Sequence, residues 1–346
     1  MATVNTDPAP NLDPQRAWWP LALSTELAPG RPLARRLRGL PLVLFRDVAG
    51  RAAALPDRCP HRHAPLSAGR VCAGEIQCPY HGWRFDAQGR CTAVPGLQDH
   101  RAGSQPLLGP LAAQEAHGLV WVCAGAPLPG QGPAAPSVLD GVDSFFMTER
   151  VRCGLAEAAE NFLDGFHTHF VHAGWIRRDA RRQDVHATVR RLPDGIEARY
   201  GGEGLQSGLI SRWLEGSRSE SMGRFRWPGV AEIEYRGARG LNLLITAWLT
   251  PEDAGMLRVH ARVATRCGLL PAALKRLALR RLFGVILRQD KAILERASDN
   301  AAAFAAQGAL PPERHSPLDL LGPSIRGLLA GRWPEAAVER ACRLRL

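Results

Sequence analysis

Two short stretches, RCPHRHAPLS at residues 58–67 and QCPYHGWRFD at 77–86, each set one cysteine close to one histidine: Cys59 with His61, and Cys78 with His81. Thiolate and imidazole together select zinc or iron–sulfur chemistry. A zinc finger pairs like with like, two cysteines and then two histidines, whereas each loop here carries one of each. That alternation suits a [2Fe–2S] cluster in which one iron takes two thiolates and the other two imidazoles, because each loop then supplies one ligand to each iron. Pro60, Pro65 and Pro79 stiffen the loops, Gly82 closes the second, and Tyr80 offers a further donor. His63 has no comparable partner and reads as a loop hydrogen bond.

A second constellation lies in EAAENFLDGFHTHFVHAGW, residues 157–175. A helical pattern over 155–171 gives Phe162, Phe166 and Phe170 an apolar stripe and gathers Asn161, Asp164 and His167 on the other side. His172 lies five residues past His167, and Gly174 can end the helix so that the two imidazoles converge. His169 sits on the Phe side and reads as structural.

Two imidazoles call for a carboxylate if they are to hold iron with positions open for dioxygen and substrate. In LFGVILRQDKAILERA, residues 283, 286, 287, 290, 293, 294 and 297 share a helical face, and Asp290 is its one polar member. A buried carboxylate must be paired, protonated or metal-bound. Glu295 and Asp299 point away and are expected to face solvent. The bland reading of this basic amphipathic stretch is a membrane-surface or partner helix.

The elements that must position these groups follow from the punctuation of the chain. With 346 residues, 45% hydrophobic, 35 Gly and 27 Pro, the chain has room for two domains. After a flexible N-terminus at 1–16, short β-rich runs over 17–125 predict an all-β domain. A Pro-, Gly- and Ala-rich linker is expected at 126–141. The remaining 142–346 mixes strands with a long helical run from about 271 to 305, an α+β domain and an α+β chain overall. Residues 206–228 have no secure placement.

Eight scattered cysteines and an N-terminus without an apolar signal core argue against disulfides and for the cytoplasm. No apolar run suits membrane insertion. The net charge of +11 is spread as Arg pairs and singles without a nucleic-acid motif, so nucleic acid is not expected as a partner. The functional reading of that charge is a docking surface for an acidic electron-transfer protein.

From the WWPLAL opening through C-x-H-x₁₆-C-x₂-H and N-x₂-D-x₂-H-x₄-H to the distal QDKAILE, the sequence resembles the Rieske non-haem iron oxygenases in their terminal-oxygenase component. It is most similar to the phthalate dioxygenase, vanillate O-demethylase and dicamba monooxygenase subgroup. The resemblance implies an N-terminal Rieske domain and a helix-grip catalytic domain. It also implies a homotrimer in which Asp164 carries electrons from His81 of a neighbouring chain to the iron at His167. The short Arg-rich stretch after 325 departs from the family pattern.

The function expected is oxygenation: a reductase or ferredoxin fed by NAD(P)H loads the [2Fe–2S] cluster, which supplies a mononuclear Fe(II) held by His167, His172 and Asp290. Dioxygen then hydroxylates or oxidatively demethylates a small organic substrate, aromatic or cyclic. Asn161 and the 241–250 strand are expected to line the substrate pocket. The rivals are an electron-transfer protein with a non-catalytic ligand-binding domain and a zinc-stabilised binding protein.

Overall fold

The computed structural model describes residues 12–97, 105–202, 207–208, 218–238, 240–268, 271–333 and 340–346. The expected N-terminal tail up to residue 11, and residues 206 and 209–217 of the 206–228 segment, lie outside the described residues. The chain divides into two compact units. One is Pro14–Ser137 with Thr250–His260; the other contains Val138–Leu249 and Ala261–Leu346. Residues 126–137 of the expected linker thus group with the first unit.

The first unit is built from β1 (Trp18–Leu23), β2 (Leu33–Leu37), β3 (Leu40–Arg46), β4 (Ala52–Pro56), β5 (Arg70–Cys72), β6 (Glu75–Gln77), β7 (Arg84–Phe85), β8 (Cys91–Ala93), β9 (Ala112–Ala116) and β10 (Leu119–Cys123). They form three small sheets, ordered β1-β10-β9, β2-β3-β4 and β5-β6-β7-β8. The apolar runs of β3 and β10 are buried because both of their faces are covered. Val43, Phe45, Leu55, Leu66, Ile76 and Phe85 form one core cluster, which also takes in Cys59 and Cys78. Each large side chain there contributes roughly 1.5–3 kcal/mol by leaving water. The two ligand loops are therefore rooted in this core. Thr250 and Pro251 join it through Thr250 Oγ1, which donates to the Pro20 carbonyl at 2.7 Å, and the Pro251 carbonyl, which accepts from Arg38 N at 2.8 Å.

The second unit holds β11 (Val142–Val151), α1 (Leu155–Leu163), β12 (Asp184–Leu192), β13 (Gly195–Gly201), β14 (Arg218–Arg226), β15 (Val230–Gly237), most of β16 (Gly240–Asp253) and β17 (Met256–Arg266), α2 (Ala272–Ala306), α3 (Gly322–Leu329) and β18 (Arg340–Arg345). The sheet runs β11-β17-β16-β15-β14-β13-β12-β18, antiparallel from β18 through β16. Register separates its two faces. The rows Ala198–Gly223–Ile233–Ile245 and Tyr200–Ser221–Tyr235–Leu243 lie on one face. The neighbouring row Glu197–Arg224–Glu232–Thr246 lies on the other, where Glu197 accepts from Arg190 and Arg199 at 2.6 Å each and from Arg224. This ion-paired ladder accounts for the charged residues buried within these strands. α1 is tied to α3 by Arg326, whose Nε and Nη2 donate to the Glu160 carboxylate at 2.7 and 2.9 Å.

Two expectations about helices are corrected. α1 stops at Leu163, not near 171, because Asp164 adopts an extended backbone and turns its carboxylate onto the chain ahead, accepting from the N–H groups of Phe166 at 2.7 Å and His167 at 3.1 Å. An aspartate that captures backbone donors this way ends a helix. Phe170 is consequently 65% exposed and completes no packed stripe. On α2 the apolar face around Phe283 and Ile286 fades beyond Asp290, where Ile293 is 43% exposed. Glu295 does not simply face solvent: its carboxylate accepts from Arg152 N at 3.2 Å.

Candidate metal centres

The two cysteine–histidine loops share one backbone design. In each, the cysteine N–H donates to the carbonyl five residues on, Cys59 to Ala64 and Cys78 to Trp83, both at 2.8 Å. In each, the residue four positions on donates back to the cysteine carbonyl, and it has positive φ: His63 at 58° and Gly82 at 75°. At Gly82 a Cβ would also lie 2.9 Å from Pro95 Cγ, so glycine is required there. His63 is placed by its loop, as expected, with Nδ1 3.1 Å from Arg58 Nη1.

This pairing brings the four candidate ligands together. Cys59 and Cys78 are buried and adjacent, close enough for their thiols to hydrogen-bond, while His61 and His81 are exposed with ring centroids 4.5 Å apart. Burial pushes the Cys59 thiol up, and the N–H groups of His61 and Arg62 act against that by pointing at its sulfur. Two buried sulfurs beneath two exposed imidazoles, with backbone donors at sulfur, fit a [2Fe–2S] cluster with mixed ligation.

The second site is assembled by a turn followed by a helix. His167 opens a 3₁₀ turn, His167–His169, and donates its N–H to Asp164 Oδ2; Val171 N donates back to the His167 carbonyl at 2.8 Å, and Gly174, at φ 80°, lets the chain reverse after His172. His167 Nε2 and His172 Nε2 lie 3.3 Å apart, and Asp290 Oδ1 from α2 lies 3.4 Å and 3.0 Å from them. Three donor atoms so close to one another can hold one metal ion. Ligands about 2.1 Å from a common ion stand at such separations. His169 stays out of the set, its Nδ1 3.2 Å from the Phe166 carbonyl.

The surroundings of the three ligands differ. His172 is buried, with Nδ1 2.9 Å from Gln289 Oε1, which fixes Nδ1 as the N–H and frees Nε2 for metal. His167 Nδ1 is buried without a hydrogen-bond partner among the described residues, and Asp164 Oδ2 lies 3.6 Å from it. Burial alone would lower His167, but Asp164 and Asp290 outweigh it and hold the imidazole up at about 9. Burial would raise Asp290; hydrogen bonds from His167, His172 and Asn161 keep it well below the usual carboxylate range. Asp164 is likewise held low, burial being outweighed by His167 and by the N–H of Phe166. Asn161, expected to line the substrate pocket, donates Nδ2 to Asp290 Oδ1 at 3.0 Å. Gln289 was missed in the sequence: it adjoins Asp290 but lies off the apolar stripe that drew attention to it.

His167, His172 and Asp290 border a cavity of ≈ 960 Å³, including its open mouth, whose walls include Phe162, Ile233, Tyr235, Leu243, Ile245 and Phe283. Within the 241–250 strand, Leu243 and Ile245 line this cavity.

Residues 17–107 match the Rieske [2Fe–2S] domain, and residues 151–332 match the vanillate O-demethylase oxygenase C-terminal domain. The chain belongs to the Rieske non-haem iron oxygenases. The dicamba O-demethylase oxygenase component of Stenotrophomonas maltophilia is 35% identical over 63% of this chain and 66% of its own length. Aminopyrrolnitrin oxygenase PrnD of Pseudomonas fluorescens is 34% identical over 45% of this chain and 46% of its own. The match thus spans less than two thirds of either relative. Dicamba monooxygenase bound to dicamba superimposes with a TM-score of 0.78 at 25% identity, covering 92% of this chain and 97% of that one. As in the family, the cofactors of this Rieske oxygenase are a [2Fe–2S] cluster and a mononuclear iron. Among the described residues no helix is long and apolar enough to cross a membrane.

Proposed function

We propose that the chain is the oxygenase component of a multicomponent system that hydroxylates or oxidatively demethylates a small cyclic organic substrate, using dioxygen and electrons from NAD(P)H through a reductase or ferredoxin. The observation that carries this reading is the convergence of His167, His172 and Asp290 at the wall of a largely apolar cavity. On this reading Cys59 and Cys78 ligate one iron of the cluster and His61 and His81 the other. His167, His172 and Asp290 hold the mononuclear iron, which when bound supplies the activation of dioxygen. Gln289 orients His172, Asn161 holds Asp290, and the apolar walls keep bulk water from the reacting carbon. Asp164 orients His167 and, in a homotrimer, receives the electron from His81 of the partner subunit.

An electron-transfer protein with an idle second domain would need neither the three converging ligands nor the cavity beside them. The test is oxygen uptake with a surrogate reductase across aromatic acids, methyl ethers, N-methyl compounds and polycyclic substrates. Substrate-dependent uptake with a hydroxylated or demethylated product is expected. A fully metallated protein that passes electrons yet consumes no oxygen with any of them would contradict the reading.

A further inference from the structure

We propose that Leu346, brought to the cavity by β18, is a specificity-determining residue that sets how large a substrate the cavity accepts. The inference rests on the oxygenase reading of this cavity and names a feature that limits its substrate. Leu346 lines the cavity together with His167, His172 and Asp290, and it is buried. β18 is the edge strand of the sheet and pairs with β12, with Leu344 opposite Val185 and Cys342 opposite Ala187. Alternation along the strand turns Leu344 and Leu346 inward and leaves Arg343 and Arg345 exposed. The Arg-rich stretch after 325, a departure from the family pattern in sequence, thus returns a strand to the site.

The backbone of Leu346 is fixed where it enters the wall. Its N–H donates to the Gln183 carbonyl at 2.8 Å and its carbonyl accepts from Gln183 N at 2.7 Å, while Arg182 Nη1 donates to the Arg345 carbonyl at 3.1 Å. The side chain lies on bare main chain at Gly165, another cavity residue: a Cβ there would stand 3.0 Å from Leu346 Cδ1 and 3.4 Å from Cδ2. Gly165 is itself held in place, because its carbonyl accepts from Thr168 Oγ1 at 2.6 Å and from Arg177 Nη1 at 2.9 Å. Where the surroundings cannot collapse, a truncated leucine leaves open volume. That volume would join the cavity beside Gly165, in the turn between Asp164 and His167, and become room for substrate. A bulkier side chain at the same place would take room away.

The experiment is anaerobic calorimetric titration of the holoprotein with paired one-ring and two-ring compounds: benzoate and 2-naphthoate, anisole and 2-methoxynaphthalene, N-methylaniline and 1-methylindole. The quantity read is the affinity for the larger member of a pair relative to the smaller. Each methylene newly covered by protein strengthens binding about fourfold, so Leu346→Ala should raise that ratio about tenfold or more in at least one pair, and Leu346→Phe should lower it. Mononuclear iron content should match the wild type in both variants, which sets size selection apart from a loosened turn at His167. If Leu346→Ala does not fold, the fall in Leu346→Phe decides. A ratio unchanged in every pair, a ratio that moves the same way in both variants, or loss of the mononuclear iron from Leu346→Ala would each overturn the proposal. Binding of no compound by any of the three proteins would overturn it too, and the oxygenase reading would then stand or fall on oxygen uptake alone. Oxygen uptake on aerobic portions separates the two readings in every other case. Ratios that shift as expected without uptake contradict the oxygenase reading while upholding the role of Leu346, and uptake with unshifted ratios does the reverse.

Discussion

Gln289 Oε1 stands 2.9 Å from His172 Nδ1, while the next residue of the same helix, Asp290, places Oδ1 3.0 Å from the Nε2 of that imidazole. One helical dipeptide thus touches both ring nitrogens of a buried histidine and fixes its tautomer. Gln289→Leu removes the acceptor and should weaken iron binding at the mononuclear site about 10–100-fold. Ferrous titration of the apo site reads this directly, and the visible spectrum of the cluster should be unchanged.

Asp164 couples chain direction to His167, since its two oxygens accept the N–H groups of Phe166 and His167 and Oδ2 lies 3.6 Å from His167 Nδ1. Asp164→Asn keeps one acceptor and loses the charge. Both metal sites should remain loaded, with a loss of about 1 kcal/mol in stability from the weakened turn. Electron transfer from reduced cluster to iron should nearly stop, seen in single turnover as a cluster that stays reduced after substrate and oxygen are added. Rapid reoxidation at the wild-type rate would show that Asp164 only shapes the turn.

What the sequence made legible was chemistry carried by rare residues in fixed local spacing. The two Cys–His loops could be read because each is complete within a few residues, and Asp290 because it is a lone acid in the middle of an apolar stripe. The end of α1 was misread because helical periodicity ignores Asp164, whose side chain competes for the backbone donors that the next turn needs. The hydrogen bond from Asn161 to Asp290 was not legible because the two lie far apart in sequence. Glu197, Arg224 and Glu232 were not legible as a set, since they explain one another only once register sets them side by side.

That ladder makes a prediction about stability. Glu197 is 1% exposed and accepts from Arg190, Arg199 and Arg224, and these partners hold its carboxyl below the ordinary range although burial pushes it up. Glu197→Ala leaves three guanidiniums facing each other. The cost should be about 3 kcal/mol, the low end for breaking a buried pair, because Arg190 and Arg199 reach solvent. Thermal unfolding of the second unit should shift down, while the metal content of folded protein stays the same.

Cys153 should be chemically silent. Burial, reinforced by Glu157 and Glu295, pushes its thiol up to about 12. The folded state therefore favours the neutral thiol, a contribution fully present below the ordinary thiol value and lost as pH rises toward about 12. At pH 8, iodoacetamide should label the exposed Cys267 and leave Cys153 unmodified until the protein is unfolded. Mass spectrometry of the labelled protein checks this, and early modification of Cys153 would contradict it.

The central claim is that a [2Fe–2S] cluster and a separate iron held by His167, His172 and Asp290 occupy the same chain. Iron and acid-labile sulfide, measured together on wild type, Asp290→Ala and Glu295→Ala, test it most directly. The wild type should carry about three irons and two sulfides per chain. Asp290→Ala should fall to about two irons with its sulfide and cluster spectrum intact, because two imidazoles alone hold iron(II) weakly. Glu295→Ala should match the wild type, losing only its contact with Arg152. Zinc without sulfide in the wild type, or loss of the third iron from Glu295→Ala and not from Asp290→Ala, would contradict the account.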